Sequence, residues 1–327
     1  MYDVITFGSA TQDVFMSSQN FKTIESDQFE TKKGLCMPLG SKIHMDSVVI
    51  VMGGVGANVA VTLARQGLNT AYLGLIGQDS PGQGVKEELK RQGVKMDLLQ
   101  EKEDWPTAYS VIISLPGSGR TILEKLGACH EITTEDIPFD KLQAKWFYIG
   151  SLSGNSHKIL KPLVEHAKAN KIKIAFNPGR TQLSDDLETT KAVLDNINIL
   201  FVNQEEAAKL TGLDYSQEHE IFKKFDELVD GLAVMTKGKE GVVVSDGQTL
   251  FSAGIPESGM VERTGAGDAF GSAFLAGYME NKDIAHAIQL GTANSTGVLQ
   301  EIGATRGLLK KGDWGPWPRV EVKEEKL

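Results

Sequence analysis

Thr264-Gly265-Ala266-Gly267-Asp268-Ala269-Phe270-Gly271 runs from a glycine turn straight into the helical pattern of Ser272–Met279. Small residues at the start of a helix let several backbone N–H groups converge on one point, where the helix dipole also favours negative charge. Such a turn is a pocket for a phosphate or an oxyanion. Asp268 falls in the first helical turn, within reach of a hydroxyl lying beside a bound phosphate. A plain glycine turn followed by a first-turn acid would look the same in isolation. The surrounding chain has to discriminate.

Outward from that turn, short apolar runs rich in β-branched residues recur: Val4–Phe7, Val48–Met52, Ala71–Ile76, Tyr109–Leu115, Trp146–Ile149, Ile172–Phe176, Ile197–Val202, Leu232–Thr236 and Val242–Val244. Several lack polar alternation, as strands covered on both faces do. Amphipathic helical stretches separate many of them, among them Asn58–Gln66, Gly84–Gln92, Lys158–Ala169, Glu205–Leu210 and Phe222–Val229. Strand and helix in alternation predict an α/β fold, a mostly parallel central sheet with helices on both faces. Two segments break the rhythm. Residues from about 14 to 47 have strand-and-turn composition, and about 104 to 126 read as a hairpin turning at Pro116-Gly117-Ser118-Gly119. Together they predict a small β-sheet lid inserted in a single domain over residues 1–310. The chain from 311 to 327 reads as an irregular tail.

Composition narrows the function. Hydrophobic residues make up 41% and charged residues 24% of 327, so a sizeable core is available. A net charge of −9 argues against a nucleic-acid partner, which needs clustered positive surface. No apolar run approaches the ~18 residues of a membrane helix, so no membrane partner is expected. The two cysteines, Cys36 and Cys129, give neither a disulfide framework nor a metal-ligand spacing, which fits a cytoplasmic protein. The six histidines show no ligand spacing either. A P-loop is excluded, because no Gly-x-x-x-x-Gly-Lys-Ser/Thr run exists.

A second glycine motif lies near the N-terminus: Gly53-Gly54-Val55-Gly56-Ala57-Asn58-Val59-Ala60, with Gly67 after the following helix. As a dinucleotide fingerprint it fails, since Val59 stands where a third small residue is needed. Asp13 ends the segment Gly8–Asp13 after the first strand, where an acid at the carboxyl end of an open α/β sheet faces the ligand crevice. Asn203 and Glu206 form an N-cap and capping-box pair. Thr236-Lys237-Gly238-Lys239-Glu240-Gly241 reads as a strand-ending turn.

Thr264–Phe270 closely resembles the C-terminal signature of the ribokinase-like (PfkB) carbohydrate kinases, and Gly53–Ala60 resembles their N-terminal signature. Asn203-Gln204-Glu205-Glu206 is similar to the family's Asn-x-x-Glu motif, and Thr236–Gly241 to its nucleotide loop. The matches run in family order from Gly8 to about Gly307. The resemblance implies a three-layer α/β/α sandwich and an ATP- and Mg²⁺-dependent phosphotransferase acting on a hydroxyl of a small sugar. By the same resemblance Asp268 is the base beside an anion hole of Gly265, Ala266 and Gly267. Asp13, Gly54, Asn58, Asn177 and Arg180 contact the acceptor. Asn203, Thr236, Lys237, Gly238, Gly241, Thr264, Thr292 and Asn294 surround the nucleotide, and Glu206 serves magnesium through water.

The sequence departs from the family at three places. Glu262-Arg263-Thr264 replaces the usual Asp-Thr-Thr, so Glu262 takes the position that holds a monovalent cation such as K⁺ in ribokinases. Gly150-Ser151-Leu152-Ser153 stands where ribokinase proper has an acid, which disfavours ribose. Asn177-Pro178-Gly179-Arg180 resembles the strand-end loop that contacts the acceptor in several sugar kinases, but differs enough that it names no particular sugar. A nucleoside kinase of the adenosine type shares every motif and stays open as the alternative, with a noncatalytic sugar or nucleotide sensor behind it. An exposed lid edge also predicts a homodimer formed through the lid.

Overall fold

Strands buried on both faces can only lie inside a sheet covered twice, and Thr70–Gly77 is buried at all eight positions. The computed structural model describes residues 1–29, 31–115 and 119–327. Its strands are β1 (Tyr2–Phe7), β2 (Thr11–Ser17), β3 (Lys22–Glu25), β4 (Lys33–Cys36), β5 (Ser47–Gly53), β6 (Thr70–Gly77), β7 (Leu99–Lys102) and β8 (Ala108–Leu115). They continue as β9 (Gly119–Lys125), β10 (Ala144–Ile149), β11 (Lys173–Phe176), β12 (Ile199–Asn203), β13 (Leu232–Thr236), β14 (Val242–Ser245), β15 (Thr249–Ala253) and β16 (Lys323–Lys326).

The main sheet has the order β16-β15-β14-β13-β12-β11-β10-β1-β6-β7. It is parallel from β7 through to β13 and antiparallel over β14, β15 and β16. Register makes the layers. Along β10, Phe147 and Ile149 enter a core closed by the helices Leu160–Ala169, Gln204–Thr211 and Glu218–Leu228. Trp146 and Tyr148 point the other way, against the helices Val55–Arg65, Ala266–Asn281 and Ile284–Leu299. Period-two alternation in a four-residue apolar run thus feeds two cores, and each fully buried aromatic contributes about 1.5–3 kcal/mol of transfer free energy. The expected three-layer sandwich is present.

A second sheet, β5-β2-β8-β9, stands apart from the first. It is mixed: β2 pairs antiparallel with β5 and parallel with β8, while β8 and β9 form a hairpin. The expected turn at Pro116-Gly117-Ser118 lies outside the described residues. The strands of this lid reach further than the segment 14–47, because β2 and β5 pair in full from Thr11↔Gly53 to Ser17↔Ser47. Val48–Met52 therefore belongs to the lid, and exposed Val48 and Ile50 betray a sheet covered on one side only. Between its strands, β3 and β4 form a separate hairpin.

The tail corrects the sequence reading at its end. After an irregular passage, Lys323–Lys326 closes the edge of the main sheet against β15, with Phe251 opposite Glu324. A charged strand suits that place, since only its backbone is needed for pairing and the charge discourages further association.

Candidate active site

The loops after β1, β10, β11, β12 and β13 all emerge at the carboxyl edge of the main sheet, where open α/β sheets bind ligands. The helix Ala266–Asn281 begins there. Gly265 caps it at φ +82°, a left-handed conformation, and a Cβ on it would lie 2.3 Å from the Ala304 methyl. Only glycine fits. The first helical N–H groups have no intrahelical acceptor by construction. Among the described residues, Ala269 N–H bonds Gly265 O at 2.9 Å, whereas the amides of Gly267 and Asp268 find no protein partner. A Cβ on Gly267 would meet nothing within 4 Å, so that turn faces open crevice. Of the three residues expected to form an anion hole, Ala266 gives its N–H to Arg263 O at 3.4 Å, and the open donors of the first turn are those of Gly267 and its neighbour Asp268.

Asp268 is half-buried there, and Asn58 donates to its Oδ2 from Nδ2 at 3.0 Å. Burial pushes its carboxyl up to about 6, and the Asn58 hydrogen bond pulls the other way by favouring the charged form. Asn58 Oδ1 is buried without a partner, which leaves an acceptor position for a ligand hydroxyl or a water beside Asp268. Gly54 carries Asn58 into position: at φ +91° it opens the helix Val55–Arg65, and a Cβ there would strike Ser9 O at 2.5 Å. The N–H groups of Val55 and Ala57 bond Ser9, so this helix start is tied to the loop after β1.

Asp13 lies on β2, in the lid, and not in the loop where the sequence placed it. It is 8% exposed, and its carboxyl is raised by burial and by Glu124, against hydrogen bonds from the Thr11 and Ser110 hydroxyls. Gly53 makes room for it, since a Cβ there would sit 2.0 Å from Asp13 Oδ2. Thr11 and Ser110 had no sequence signal; only the pairing of β2 with β5 and β8 brings them together.

The remaining candidates divide. Asn203 and Glu206 form the expected reciprocal cap, with Asn203 N–H to Glu206 Oε2 at 2.8 Å and Glu206 N–H to Asn203 Oδ1 at 2.9 Å. Burial raises the Glu206 carboxyl. No group of three metal-ligating side chains occurs among the described residues, so a metal here would depend on substrate oxygens and water. Thr236 ends β13, and Lys237–Gly241 is the turn into β14. Gly241 is needed at φ +90°, where a Cβ would meet Ala253 O at 1.9 Å, whereas Gly238, at φ +57°, faces open space. Lys237 is committed to Glu218 at 2.6 Å. Asn177 donates to Phe201 O at 3.0 Å, while Arg180 is exposed at the start of a short helix.

Thr292 and Asn294 are buried in the helix Ile284–Leu299. Asn294 donates to Ala269 O and accepts from Leu309 N–H, both at 2.8 Å. Ser295 donates to Ala266 O at 3.0 Å. Asn294 and Ser295 thus tie this helix to the start of the Asp268 helix, with one donor and one acceptor position of the Asn294 amide engaged. Glu262 holds a different surprise. Its Oε1 accepts from the N–H of Arg263 at 2.8 Å, from the N–H of Thr264 at 3.1 Å, and from the guanidinium of Arg120 in the lid. The Arg263 side chain is exposed, so the carboxylate finds its countercharge on β9 and not next door.

A cavity of about 430 Å³ also opens near the amino ends of β1, β10 and β11, lined by Asp3, Lys145, Trp146, Lys173 and Trp314. It lies away from the glycine turn and offers no convergent amides. The carboxyl-edge crevice remains the candidate site.

A helix start with open amides, and a buried acid on a second sheet beside a doubly wound sheet, are parts that a small-molecule phosphotransferase would use. The chain belongs to the PfkB family: residues 22–311 match the pfkB family carbohydrate kinases. It is 24% identical over 311 residues to the ATP-dependent 6-phosphofructokinase of Thermoanaerobacterium thermosaccharolyticum, covering 93% of this chain and 89% of that one. It is 28% identical over 292 residues to the cytidine kinase of Thermococcus kodakarensis, covering 86% and 94%. Arabidopsis thaliana ribokinase, solved with ribose and ATP, superposes with a TM-score of 0.77 at 22% identity, over 95% of this chain and 96% of that one. The protein is a sugar or nucleoside kinase of this family. No helix is long and apolar enough to cross a membrane among the described residues.

Proposed function

We propose that the protein transfers the γ-phosphoryl group of ATP to a hydroxyl of a small sugar, with Asp268 as base. One observation carries the reading: a carboxylate raised to about 6 sits beside the open amides of Gly267 and Asp268. A base of that strength is largely ionised at neutral pH and can accept a proton as the acceptor oxygen attacks. The amides compensate charge on the transferred group, and positioning supplies most of the remaining acceleration. Asp13 on the lid grips the acceptor, Asn58 Oδ1 takes a further hydroxyl, and lid closure excludes water. Magnesium, when bound with the nucleotide, neutralises phosphate charge, and Glu206 is the carboxylate that would hold its water shell. ADP release measured across a panel of sugars and nucleosides tests the assignment; no acceptor-dependent release would sink it.

On the Asp13 face of the lid, Phe15, Ile112 and Ile122 form one cross-strand row in which Phe15 and Ile112 are buried and Ile122 is exposed, an apolar edge that would suit a nucleobase. This supports a nucleoside acceptor as the second reading, and the same panel separates the two.

Dimerisation through the lid is the third element of the proposal. Val48, Ile50 and Leu123 are 52%, 56% and 55% exposed. By register they share the lid face opposite Asp13, and β5 and β9 are free edges of that sheet.

A further inference from the structure

Arg120 lies on β9, 142 residues from Glu262 in sequence, yet its guanidinium donates to both Glu262 Oε1 and Thr264 Oγ1. The same Glu262 oxygen gathers the N–H groups of Arg263 and Thr264. These two residues lead directly into Gly265 and the open amides behind it. One lid cation therefore holds, through one carboxylate, the backbone that aims the anion hole. The side chains of Arg120 and Glu262 are only 22% and 13% exposed, so salt screens the pair little and losing either partner strands a desolvated charge.

The lid register supplies the second half. Asp13 pairs across to Ser110 and Glu124, Phe15 to Ile112 and Ile122, and Ser17 to Ser114 and Arg120. Side chains alternate along a strand, so Asp13 and Arg120 share the same face of one continuous sheet, roughly 16 Å apart by strand spacing and rise. A sheet that moves at one of these residues moves at the other.

We propose that Arg120 is a positioning residue that couples lid closure to assembly of the anion hole. The link is formed in the chain without ligand, and an acceptor gripped at Asp13 holds the sheet down, so that Arg120 keeps Glu262, Arg263 and Thr264 ordered and the Gly267 and Asp268 amides facing the phosphate. Acceptor binding energy is spent on completing the site, which keeps ATP from water while no acceptor is present. The inference rests on the kinase reading for its consequence and on geometry for its contact.

The test compares wild type with Arg120→Ala, Glu262→Gln and the double variant. Arg120→Ala is expected to lower kcat by about 10–100-fold, as displaced catalytic groups do, with KM for ATP within about threefold of wild type. Millimolar guanidinium should recover part of that loss. The double variant should lose no more than Arg120→Ala alone, because both changes break one link. Unchanged kcat in Arg120→Ala, or losses that multiply in the double variant, would overturn the proposal. Hydrogen exchange of the ligand-free chain is the second arm: Arg120→Ala should speed exchange across residues 262–268. If no acceptor is phosphorylated by wild type, the kinase reading fails and exchange alone decides the contact, with unchanged protection counting against it.

Discussion

Asn58 Nδ2 donates to Asp268 Oδ2 at 3.0 Å, joining the two glycine motifs across 210 residues of sequence. The bond stabilises the charged carboxylate against the burial that raises it to about 6. Replacing Asn58 by Ala removes the donor, so the carboxyl should titrate higher still. The acid limb of kcat/KM is expected to move to higher pH, with turnover falling more at pH ~6 than at pH ~8. A pH–rate profile with an unmoved limb would show that Asn58 does not tune the base.

Asp268→Asn should lower kcat by about 10²–10⁴-fold while nucleotide binding persists. Its effect on stability has the opposite sign. Folding raises the Asp268 pKa above the unfolded value, so the group contributes stability below pH ~4 and loses it as pH rises through about 6. At pH ~8 the neutral amide avoids that cost, a gain of at most about 3 kcal/mol. Urea unfolding at pH ~4 and pH ~8 checks this: the curves should coincide at the lower pH and separate at the higher, with the variant more stable.

The legible parts of this molecule were those in which neighbouring residues act together. Trp146–Ile149 could be read as a doubly buried strand because all four residues are apolar, and Gly265–Asp268 because a glycine turn and a helix start are both local. The helix Ile284–Leu299 escaped notice, since its buried residues mix Ile284, Ile288, Leu290 and Val298 with Ala287, Gly291, Thr292, Asn294, Thr296 and Gly297, and the small and polar members leave little amphipathic contrast. Val48–Met52 looked like a main-sheet strand because β-branched composition does not say which sheet a strand joins. Partners were the least visible. Lys237 has a phosphate-loop address but pairs with Glu218, and Arg120 meets Glu262 only because the lid folds over. No local pattern encodes either pair.

Asp13→Ala tests the lid as the acceptor-holding element. Asp13 is buried at 8% exposure on a strand remote in sequence from the anion hole, so its loss should raise the acceptor KM and lower kcat while ATP affinity stays within about threefold. Calorimetric titration of nucleotide into the variant decides the matter. Equal loss of nucleotide binding would remove Asp13 from the acceptor site.

Ile50→Lys addresses the lid dimer. Ile50 is 56% exposed in the row shared with Leu123, and a lysine there would place charge in a face expected to be covered by its copy. Light scattering should give a dimer for wild type at micromolar concentration and a monomer for the variant. A monomeric wild type would refute the arrangement.

Glu262 is expected to make turnover insensitive to potassium, in contrast to the cation site suggested by its place in the motif. A carboxylate beside an anion hole needs a compensating positive charge, or it would oppose phosphate binding there. Here Oε1 already receives the N–H groups of Arg263 and Thr264, the Thr264 hydroxyl at 3.0 Å and the Arg120 guanidinium. Because the ion pair is mostly buried, a dissolved cation must displace a guanidinium held by the lid in order to bind. Wild-type kcat in sodium- and potassium-free buffer should therefore stay flat as potassium is titrated at constant ionic strength, which holds general screening fixed. Arg120→Ala exposes the need that Arg120 meets, and in that variant potassium should raise kcat. Activation of wild type by several-fold would show that the ion, and not the lid arginine, balances Glu262 during turnover.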